Sequence, residues 1–157
     1  MTSAAELVAA LLTKSQVLAT AESCTGGMVA ASVTDVAGSS AVFDRGFVTY
    51  SNAAKNEMLG VPNKLLETFG AVSEQVALSM AAGAIAHSAA TIAIAITGIA
   101  GPTGGSETKP VGLVHFAVTQ RRGKTIADKQ IFKGNREQVR TQARNHALQM
   151  LGKALAG

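Results

Sequence analysis

Patterns typical of helices and of strands alternate along most of the chain, and this alternation limits the fold more than any other feature. An amphipathic helix with Ser3 as its N-cap is predicted over 2–14. Buried strands are predicted over 16–21 and 91–97, the second with the sequence Thr-Ile-Ala-Ile-Ala-Ile-Thr. Helices between buried strands favour parallel pairing and a helical layer on each face of the sheet. The chain is therefore expected to be α/β, a three-layer α/β/α sandwich.

The rest of the chain supplies the remaining predicted elements. A strand is predicted over 41–50, with core candidates Val42, Phe47 and Val48. The other predictions are a short helix over 52–59, a turn from Pro62 to about Gly70, a Ser73-capped helix over 73–87, a hairpin of strands 111–119 and 125–133, and a final helix from the Asn135 cap to about 155. The late hairpin makes the expected sheet mixed but mostly parallel. Residues 1–157 are expected to form one domain.

The size and the cysteine content suit a cytoplasmic protein. A chain of 157 residues with 47% hydrophobic residues can bury a core without disulfides. Its single cysteine, Cys24, cannot form an internal bridge, and the residues that follow Met1 show no export-signal pattern. No apolar run is long enough for a membrane span. His87, His115 and His146 share no metal-ligand spacing, so we predict no metal and no cofactor.

The positive charge is concentrated near one end of the sequence. The formal net charge is +4, but the residues from Arg121 onward include nine Lys or Arg and only two Asp or Glu, a local charge of +7. Such asymmetry predicts a local anion site. An aromatic content of 4% argues against a base-stacking surface and hence against a nucleic-acid partner. A small phosphorylated ligand fits better.

The first candidate site is the turn from Glu22 to Gly27, which joins a predicted strand to a helix. A hydroxyl at Ser23 would meet the unpaired N–H groups of the helix, where an oxyanion is stabilised. The alternative, purely structural interpretation is that Ser23 or Thr25 only caps the helix. A thiol mechanism with Cys24, Lys55 and Glu22 is a further alternative, because thiolates are strong nucleophiles.

The second candidate site is the segment Tyr50-Ser-Asn-Ala-Ala-Lys55. If Asn52 is the N-cap, Lys55 occupies the third helical position, where the helix dipole opposes a cation. Lowering a lysine pKa from about 10.4 to between about 7 and 8 requires near 4 kcal/mol, so burial would have to supply most of the shift that a base needs. An ordinary solvated lysine is the other interpretation.

Two more segments have the composition of a ligand site. The loop from Gly98 to Gly112 is rich in glycine and can offer backbone N–H groups, although it lacks the P-loop and dinucleotide-binding patterns. Arg136 and Arg140 lie four residues apart on one face of the last helix, with Arg136 in the first turn, and arginine suits phosphate. A solvated helix face is the simpler interpretation of this row.

Taken together, these motifs resemble the C-terminal domain family of the competence/damage-inducible protein CinA, which includes stand-alone nicotinamide-nucleotide amidohydrolases. The resemblance covers essentially the whole chain. It rests on five ordered blocks: Thr20-Ala-Glu-Ser-Cys-Thr-Gly-Gly27, Gly46-Phe-Val-Thr-Tyr-Ser-Asn52 with Lys55, Gly70-Ala-Val-Ser73, Thr97-Gly-Ile-Ala-Gly-Pro102 with Gly104 and Gly105, and Lys109-Pro-Val-Gly112.

The resemblance implies hydrolysis of the carboxamide of nicotinamide mononucleotide to nicotinate mononucleotide and ammonia, in pyridine nucleotide recycling and without a metal. It implies Ser23 as the nucleophile, Lys55 as its base and Tyr50 as a side chain that orients Lys55 by a hydrogen bond. The alternative is a nucleotide-binding or assembly module of the same type without turnover.

The remaining expectations concern the substrate and the assembly. We expect the phosphate to lie against Arg136 or Arg140. Backbone groups of the two loops are expected to contact the substrate or its oxyanion, the candidates being Thr25, Gly26, Gly27, Thr97, Gly98, Gly101, Gly104 and Gly105. A homo-oligomer is expected from the small exposed residues of the outer helices.

Overall fold

The computed structural model describes residues 1–157 and contains six α-helices and five β-strands. In chain order they are α1 (Ala4–Thr13), β1 (Leu18–Glu22), α2 (Met28–Thr34), β2 (Phe43–Val48), α3 (Asn52–Leu59), α4 (Asn63–Phe69), α5 (Glu74–Ala86), β3 (Ile92–Gly98), β4 (Leu113–Gln120), β5 (Thr125–Ile131) and α6 (Arg136–Ala156). A single 3₁₀ turn, Ser39–Ala41, precedes β2. No helix is both long and apolar enough to cross a membrane.

The five strands form one mixed sheet in the order β2-β1-β3-β4-β5. β1 pairs in parallel with both β2 and β3, whereas β4 is antiparallel to β3 and to β5. Four of the five strands therefore point in the same direction and only β4 is reversed. This arrangement confirms the predicted α/β fold with a mixed sheet and a late hairpin.

Alternation along the central strands gives the sheet two different faces. Ile92, Ile94 and Ile96 of β3 face a core formed with α1, α2 and α6. Ala93 and Ala95 face the opposite side, where α3, α4 and α5 pack. Alanine keeps this second face flat, so α5 can lie close to the strands. The two cores place one helical layer on each face of the sheet, as predicted.

Most predicted helix starts carry the expected caps. The Ser3, Ser73 and Asn135 side chains each accept a hydrogen bond from a backbone N–H in the first turn of their helices. One prediction was wrong, since the stretch assigned to a turn between Pro62 and Gly70 contains α4. Its seven residues are too few to show helical periodicity in the sequence.

The core assignment for β2 is only partly confirmed. Val42 is buried and Phe47 is partly buried against the α5 core. Val48, however, is 46% exposed. β2 is an edge strand and Val48 is its last residue, a position at which the side chain is open to solvent.

Candidate active site

The candidate active site lies where the carboxyl ends of three parallel strands meet. Ser23 directly follows β1, Thr49 and Tyr50 follow β2, and Gly98 ends β3. Ligands of open α/β sheets commonly bind at this edge. The cleft here has a volume of about 180 Å³ and is lined by Ser23, Cys24, Tyr50, Asn52, Lys55, Ala71, Val72, Thr97, Gly98, Ala100 and Arg136.

Ser23 and Lys55 are in direct contact at the bottom of this cleft. The Nζ atom of Lys55 lies 3.0 Å from the Oγ atom of Ser23. Lys55 is 1% exposed and Ser23 is 8% exposed, so both side chains are withdrawn from bulk water. A nucleophile and a base need this hydrogen-bonding distance for proton transfer.

Two backbone carbonyls complete the surroundings of the Lys55 amine. Nζ donates to the carbonyl oxygen of Thr49 at 2.9 Å and lies 3.5 Å from that of Tyr50. A neutral amine has two N–H bonds and one lone pair. When the two N–H bonds face the carbonyls, the lone pair is left for the hydroxyl proton of Ser23.

Burial lowers the pKa of Lys55 from its ordinary value. No carboxylate lies within ion-pair distance of Nζ. The salt-bridge contacts of the structure join Arg45 to Asp44 and His146 to Asp128. Desolvation of the charged form is therefore not offset by a counter-ion. A buried lysine without a counter-ion loses its proton more readily, and a neutral amine can act as a base.

The position of Lys55 in its helix differs from the prediction by one residue. Ser51, not Asn52, is the N-cap of α3, and its Oγ accepts from the N–H of Ala54 at 3.0 Å. Lys55 is thus the fourth helical residue, and its own N–H is bonded to the carbonyl of Ser51. Burial at the edge of the sheet, rather than the helix dipole, accounts for the lowered pKa.

Cys24 has the properties of a core residue. Its side chain is 4% exposed and packs in the hydrophobic cluster beneath α2 and α6. Burial raises the pKa of its thiol to about 11, so the thiol is protonated at neutral pH.

Glu22 also faces away from the chemistry. Its fully buried carboxylate accepts from the hydroxyl of Thr25 at 2.7 Å and from the N–H groups of Val29 and Ala30 at the start of α2. It therefore serves α2 as an N-cap supplied from the strand. Neither Glu22 nor Cys24 supports the thiol alternative.

Tyr50 and Arg136 form a polar pair at the mouth of the cleft. The hydroxyl of Tyr50 accepts from Arg136 Nη2 at 2.8 Å, and Arg136 Nη1 donates to the carbonyl of Gly101 at 2.8 Å. The expected hydrogen bond between this hydroxyl and Lys55 is absent, since only the backbone of Tyr50 approaches the amine. A sequence pattern does not show which way a 61% exposed side chain points.

Only some of the residues that were expected to contact the substrate line the cleft. Thr97, Gly98 and Arg136 line the cleft, and the Thr97 hydroxyl donates to the carbonyl of Ala71 at 2.8 Å. The other expected residues lie outside its lining, namely Thr25, Gly26, Gly27, Gly101, Gly104, Gly105 and Arg140. Arg140 donates instead to the carbonyls of Cys24 and Thr25.

Sequence reasoning missed four residues of the cleft, Asn52, Ala71, Val72 and Ala100. Ala71 and Val72 follow α4, the helix that the sequence did not predict. Asn52 carried a signal, since the sequence pattern made it the N-cap candidate of the helix that bears Lys55. Elsewhere in the chain, no group of three or more His, Cys, Asp or Glu side chains is arranged to hold a metal ion.

Comparison with known proteins identifies one family model and several similar relatives. The model of the CinA C-terminal domain matches residues 1–155. A protein named nicotinamide-nucleotide amidohydrolase PncC from Enterobacter agglomerans is 54% identical over 92% of this chain and 88% of its own length. The protein of that name from Escherichia coli K12 is 54% identical over 90% of this chain and 86% of its own length.

Longer relatives and solved structures of CinA-type proteins are also similar to this chain, in sequence and in fold. A CinA-like protein from Mycolicibacterium vanbaalenii is 52% identical over 89% of this chain, which spans only 33% of that protein. The crystal structure of a competence/damage-inducible protein from Agrobacterium tumefaciens superposes with a TM-score of 0.92 at 49% identity, covering 98% of this chain and 96% of that one. A CinA superfamily protein from Klebsiella pneumoniae gives 0.93 at 40% identity, covering 98% and 95%.

Proposed function

This chain belongs to the CinA C-terminal domain family, and on that basis we propose that it hydrolyses the carboxamide of nicotinamide mononucleotide to nicotinate mononucleotide and ammonia. The two PncC relatives at 54% identity support amidohydrolase activity. The single observation that carries the mechanism is the 3.0 Å contact between Lys55 Nζ and Ser23 Oγ inside the cleft. The product would return to pyridine nucleotide recycling.

Acylation of Ser23 is the first half of the proposed reaction. Neutral Lys55 accepts the hydroxyl proton as Oγ of Ser23 bonds to the amide carbon of the substrate, and the carbonyl oxygen becomes an oxyanion. Backbone N–H groups after Ser23 stabilise that charge. The carbon–nitrogen bond then breaks, and protonated Lys55 gives its proton to the departing ammonia. A nicotinoyl ester of Ser23 remains.

Deacylation uses the same two side chains. Lys55, again neutral, takes a proton from water as the oxygen of that water adds to the ester carbon. The ester bond to Ser23 breaks, and Oγ recovers its proton from Lys55. The carboxylate product leaves.

Substrate orientation is assigned to the mouth of the cleft. Arg136 lies on the wall of the cleft with its guanidinium held by Tyr50 and by the carbonyl of Gly101. A guanidinium fixed in this way is suited to a phosphate oxygen. We therefore assign the phosphate to Arg136, and we assign to Tyr50 a part in holding Arg136 rather than in moving a proton.

The proposal is tested by ammonia release from nicotinamide mononucleotide in the presence of EDTA, with nicotinate mononucleotide followed by chromatography. The wild-type chain is expected to be active, and Ser23→Ala and Lys55→Met are each expected to lose about 10²-fold or more. Cys24→Ala removes the thiol but keeps the backbone amide, so it is expected to remain active.

Three outcomes would contradict the proposal. Full activity of Ser23→Ala would remove the serine nucleophile, and loss of activity only in Cys24→Ala would make the thiol the nucleophile. If the ligand raises the melting temperature of the wild-type chain without any product, the chain is a nucleotide-binding module instead.

A further inference from the structure

The turn that carries Ser23 is held from its carbonyl side by a side chain to which the mechanism gives no role. Arg140, on α6, donates through Nε to the carbonyl of Cys24 at 3.0 Å and through Nη2 to that of Thr25 at 3.3 Å. These residues are 116 and 115 positions away in sequence. The contact therefore ties the nucleophile turn to a distant helix.

For one carbonyl of the turn, Arg140 is the only hydrogen-bond donor. The carbonyl of Ser23 accepts from the N–H of Gly26, and the carbonyl of Thr25 accepts also from the N–H of Met28, both at 3.0 Å. The carbonyl of Cys24 has no hydrogen-bond donor other than Arg140. Without Arg140, this carbonyl would lose its hydrogen-bond donor.

The N–H groups on the other side of these peptides have no partner within the protein. Neither Cys24 nor Thr25 donates a backbone hydrogen bond to another residue, although Cys24 is 4% exposed and Thr25 is completely buried. Unpaired N–H groups in buried residues are rare and cost about 1–3 kcal/mol each. Cys24 directly follows the nucleophile and lines the cleft, which is where a donor to an oxyanion is needed.

The carbonyl contacts fix the direction of these N–H groups. A trans peptide is planar, so its N–H points opposite to its C=O, and the peptides of this turn are trans. With the Cys24 carbonyl held on Arg140, the N–H of Thr25 points away from Arg140. The Ser23 carbonyl, held by Gly26, orients the N–H of Cys24 in the same manner.

The opposite side of the turn is held by Glu22. Its carboxylate binds the Thr25 hydroxyl and the first N–H groups of α2. The turn is therefore held between the buried carboxyl group of Glu22 and the guanidinium of Arg140. Rigid donors cost no reorganisation when the oxyanion forms.

We propose that Arg140 is a positioning residue that fixes the turn behind Ser23, so that the N–H of Cys24, the turn residue that lines the cleft, faces the oxyanion, and that Arg140 does not bind the phosphate of the substrate. This inference rests on the proposed function, because it needs Ser23 to be the nucleophile. It also separates two arginines that lie one helical turn apart, since Arg136 lines the cleft and Arg140 does not.

Comparison of substrates with and without a phosphate separates the two roles. For Arg140→Met we expect kcat to fall by about 10- to 100-fold, with KM for nicotinamide mononucleotide nearly unchanged, because imprecise oxyanion donors affect only the transition state. The same loss is expected for nicotinamide riboside, which has no phosphate. Arg144→Met, one turn further along α6, is the matched control and should retain wild-type rates, since Arg144 bonds only to Asn145.

Two additional measurements keep the test decisive if Arg140→Met misfolds or if nicotinamide mononucleotide is not the substrate. Arg140→Lys keeps the charge but offers a single ammonium, so kcat is expected to lie between the values of wild type and Arg140→Met. Acylation of Ser23 by p-nitrophenyl acetate, read by mass spectrometry with Ser23→Ala as the blank, is expected to slow by the same factor as kcat in Arg140→Met.

Several results would overturn the inference. A rise in KM confined to the phosphorylated substrate would make Arg140 a phosphate ligand, and wild-type kcat in Arg140→Met would leave it without a role. The proposed function fails separately, when the wild-type chain acylates with p-nitrophenyl acetate but releases no ammonia from nicotinamide mononucleotide. In that case the acylation rates of the Arg140 variants still decide the inference.

Discussion

The Lys55 side chain is the residue on which the proposed chemistry depends most, because folding buries its amine without giving it a counter-ion. Its surroundings satisfy it in either protonation state, since three oxygens lie around Nζ, two of them backbone carbonyls and the third the hydroxyl of Ser23. A carboxylate at the same place would hold the amine in its charged form. The absence of such a group is what leaves Lys55 able to accept a proton.

The pH dependence of activity follows from this burial. Because the pKa of Lys55 is lowered, the amine becomes neutral, and hence competent as a base, at a pH below that of an ordinary lysine. We expect kcat/KM to rise with pH and to level off below about 10.4, the value for an unperturbed lysine. The measurement is kcat/KM against pH for the wild-type chain and for Cys24→Ala.

The Cys24→Ala profile serves as the control for thiol ionisation. The pKa of the Cys24 thiol is raised to about 11, so this variant should show the same midpoint as wild type. A kcat/KM value that is still rising steeply at about pH 10.4 would mean that Lys55 titrates as a solvated lysine and is not the base.

Individual residues differ in how far the sequence could predict their role. Ser23 was a candidate because it follows a predicted strand, and Lys55 because a cation near the start of a predicted helix opposes the helix dipole. The roles of Tyr50 and Arg140 could not be predicted in the same way. Their long side chains reach partners on other elements, at separations of 86 to 116 residues, and local patterns carry no information on such contacts.

Among the elements, α3 has the most exacting position, because it carries Lys55 to the end of β1. Its carboxyl end packs closely against α5, where Gly83 meets the backbone of Leu59. The sequence predicted both helices but not this crossing, since one glycine within a helix does not reveal which neighbour approaches it. A different limitation hid α4, whose seven residues are too few to show a helical period and connect α3 to the loop that lines the cleft.

Gly83→Ala tests the role of this crossing. A Cβ atom at Gly83 would collide with the main-chain carbonyl oxygen of Leu59 and would lie 2.9 Å from its carbon. Backbone atoms cannot turn aside, so α3 must shift, and we expect a loss of about 1–3 kcal/mol in the free energy of unfolding. Because Lys55 lies on α3, ammonia release should fall as well. Urea denaturation and the activity assay measure the two effects.

Gly152→Ala is the matched control on another helix. Here the added Cβ would crowd the Oγ1, Cγ2 and Cβ atoms of Thr2, next to the end of the chain, and the change to alanine favours the helix by up to about 1 kcal/mol. We expect a smaller loss of stability than for Gly83→Ala, because only the chain end has to shift, and normal activity. If Gly83→Ala behaves like Gly152→Ala, the contact between α3 and α5 does not position Lys55.

At the scale of the whole molecule, two separate hydrophobic cores share a single sheet. One core lies under α1, α2 and α6, and the other lies under α3, α4 and α5. The candidate active site depends on both, since Ser23 precedes α2 whereas Lys55 belongs to α3. Loss of either helical layer would therefore separate Ser23 from Lys55.

This shared sheet makes the single-domain prediction testable. Ile94 lies in the first core and Met80 in the second, both with no exposed surface, and truncation of either to alanine is expected to cost about 2–5 kcal/mol. Because both layers pack on β1 and β3, we expect each variant to unfold in one transition, shifted to lower urea concentration. Far-UV circular dichroism reports on the whole chain, and alkylation of buried Cys24 reports on the first core alone.

The comparison of the two probes decides between one cooperative unit and two. In one unit, Met80→Ala weakens the distant core that protects Cys24 as much as it weakens the rest, so the alkylation and dichroism midpoints coincide. If Met80→Ala instead gave two transitions, with Cys24 still protected after the first, the layer of α3, α4 and α5 would unfold on its own. Activity would then be lost in the first transition, because that layer carries Lys55 away from Ser23.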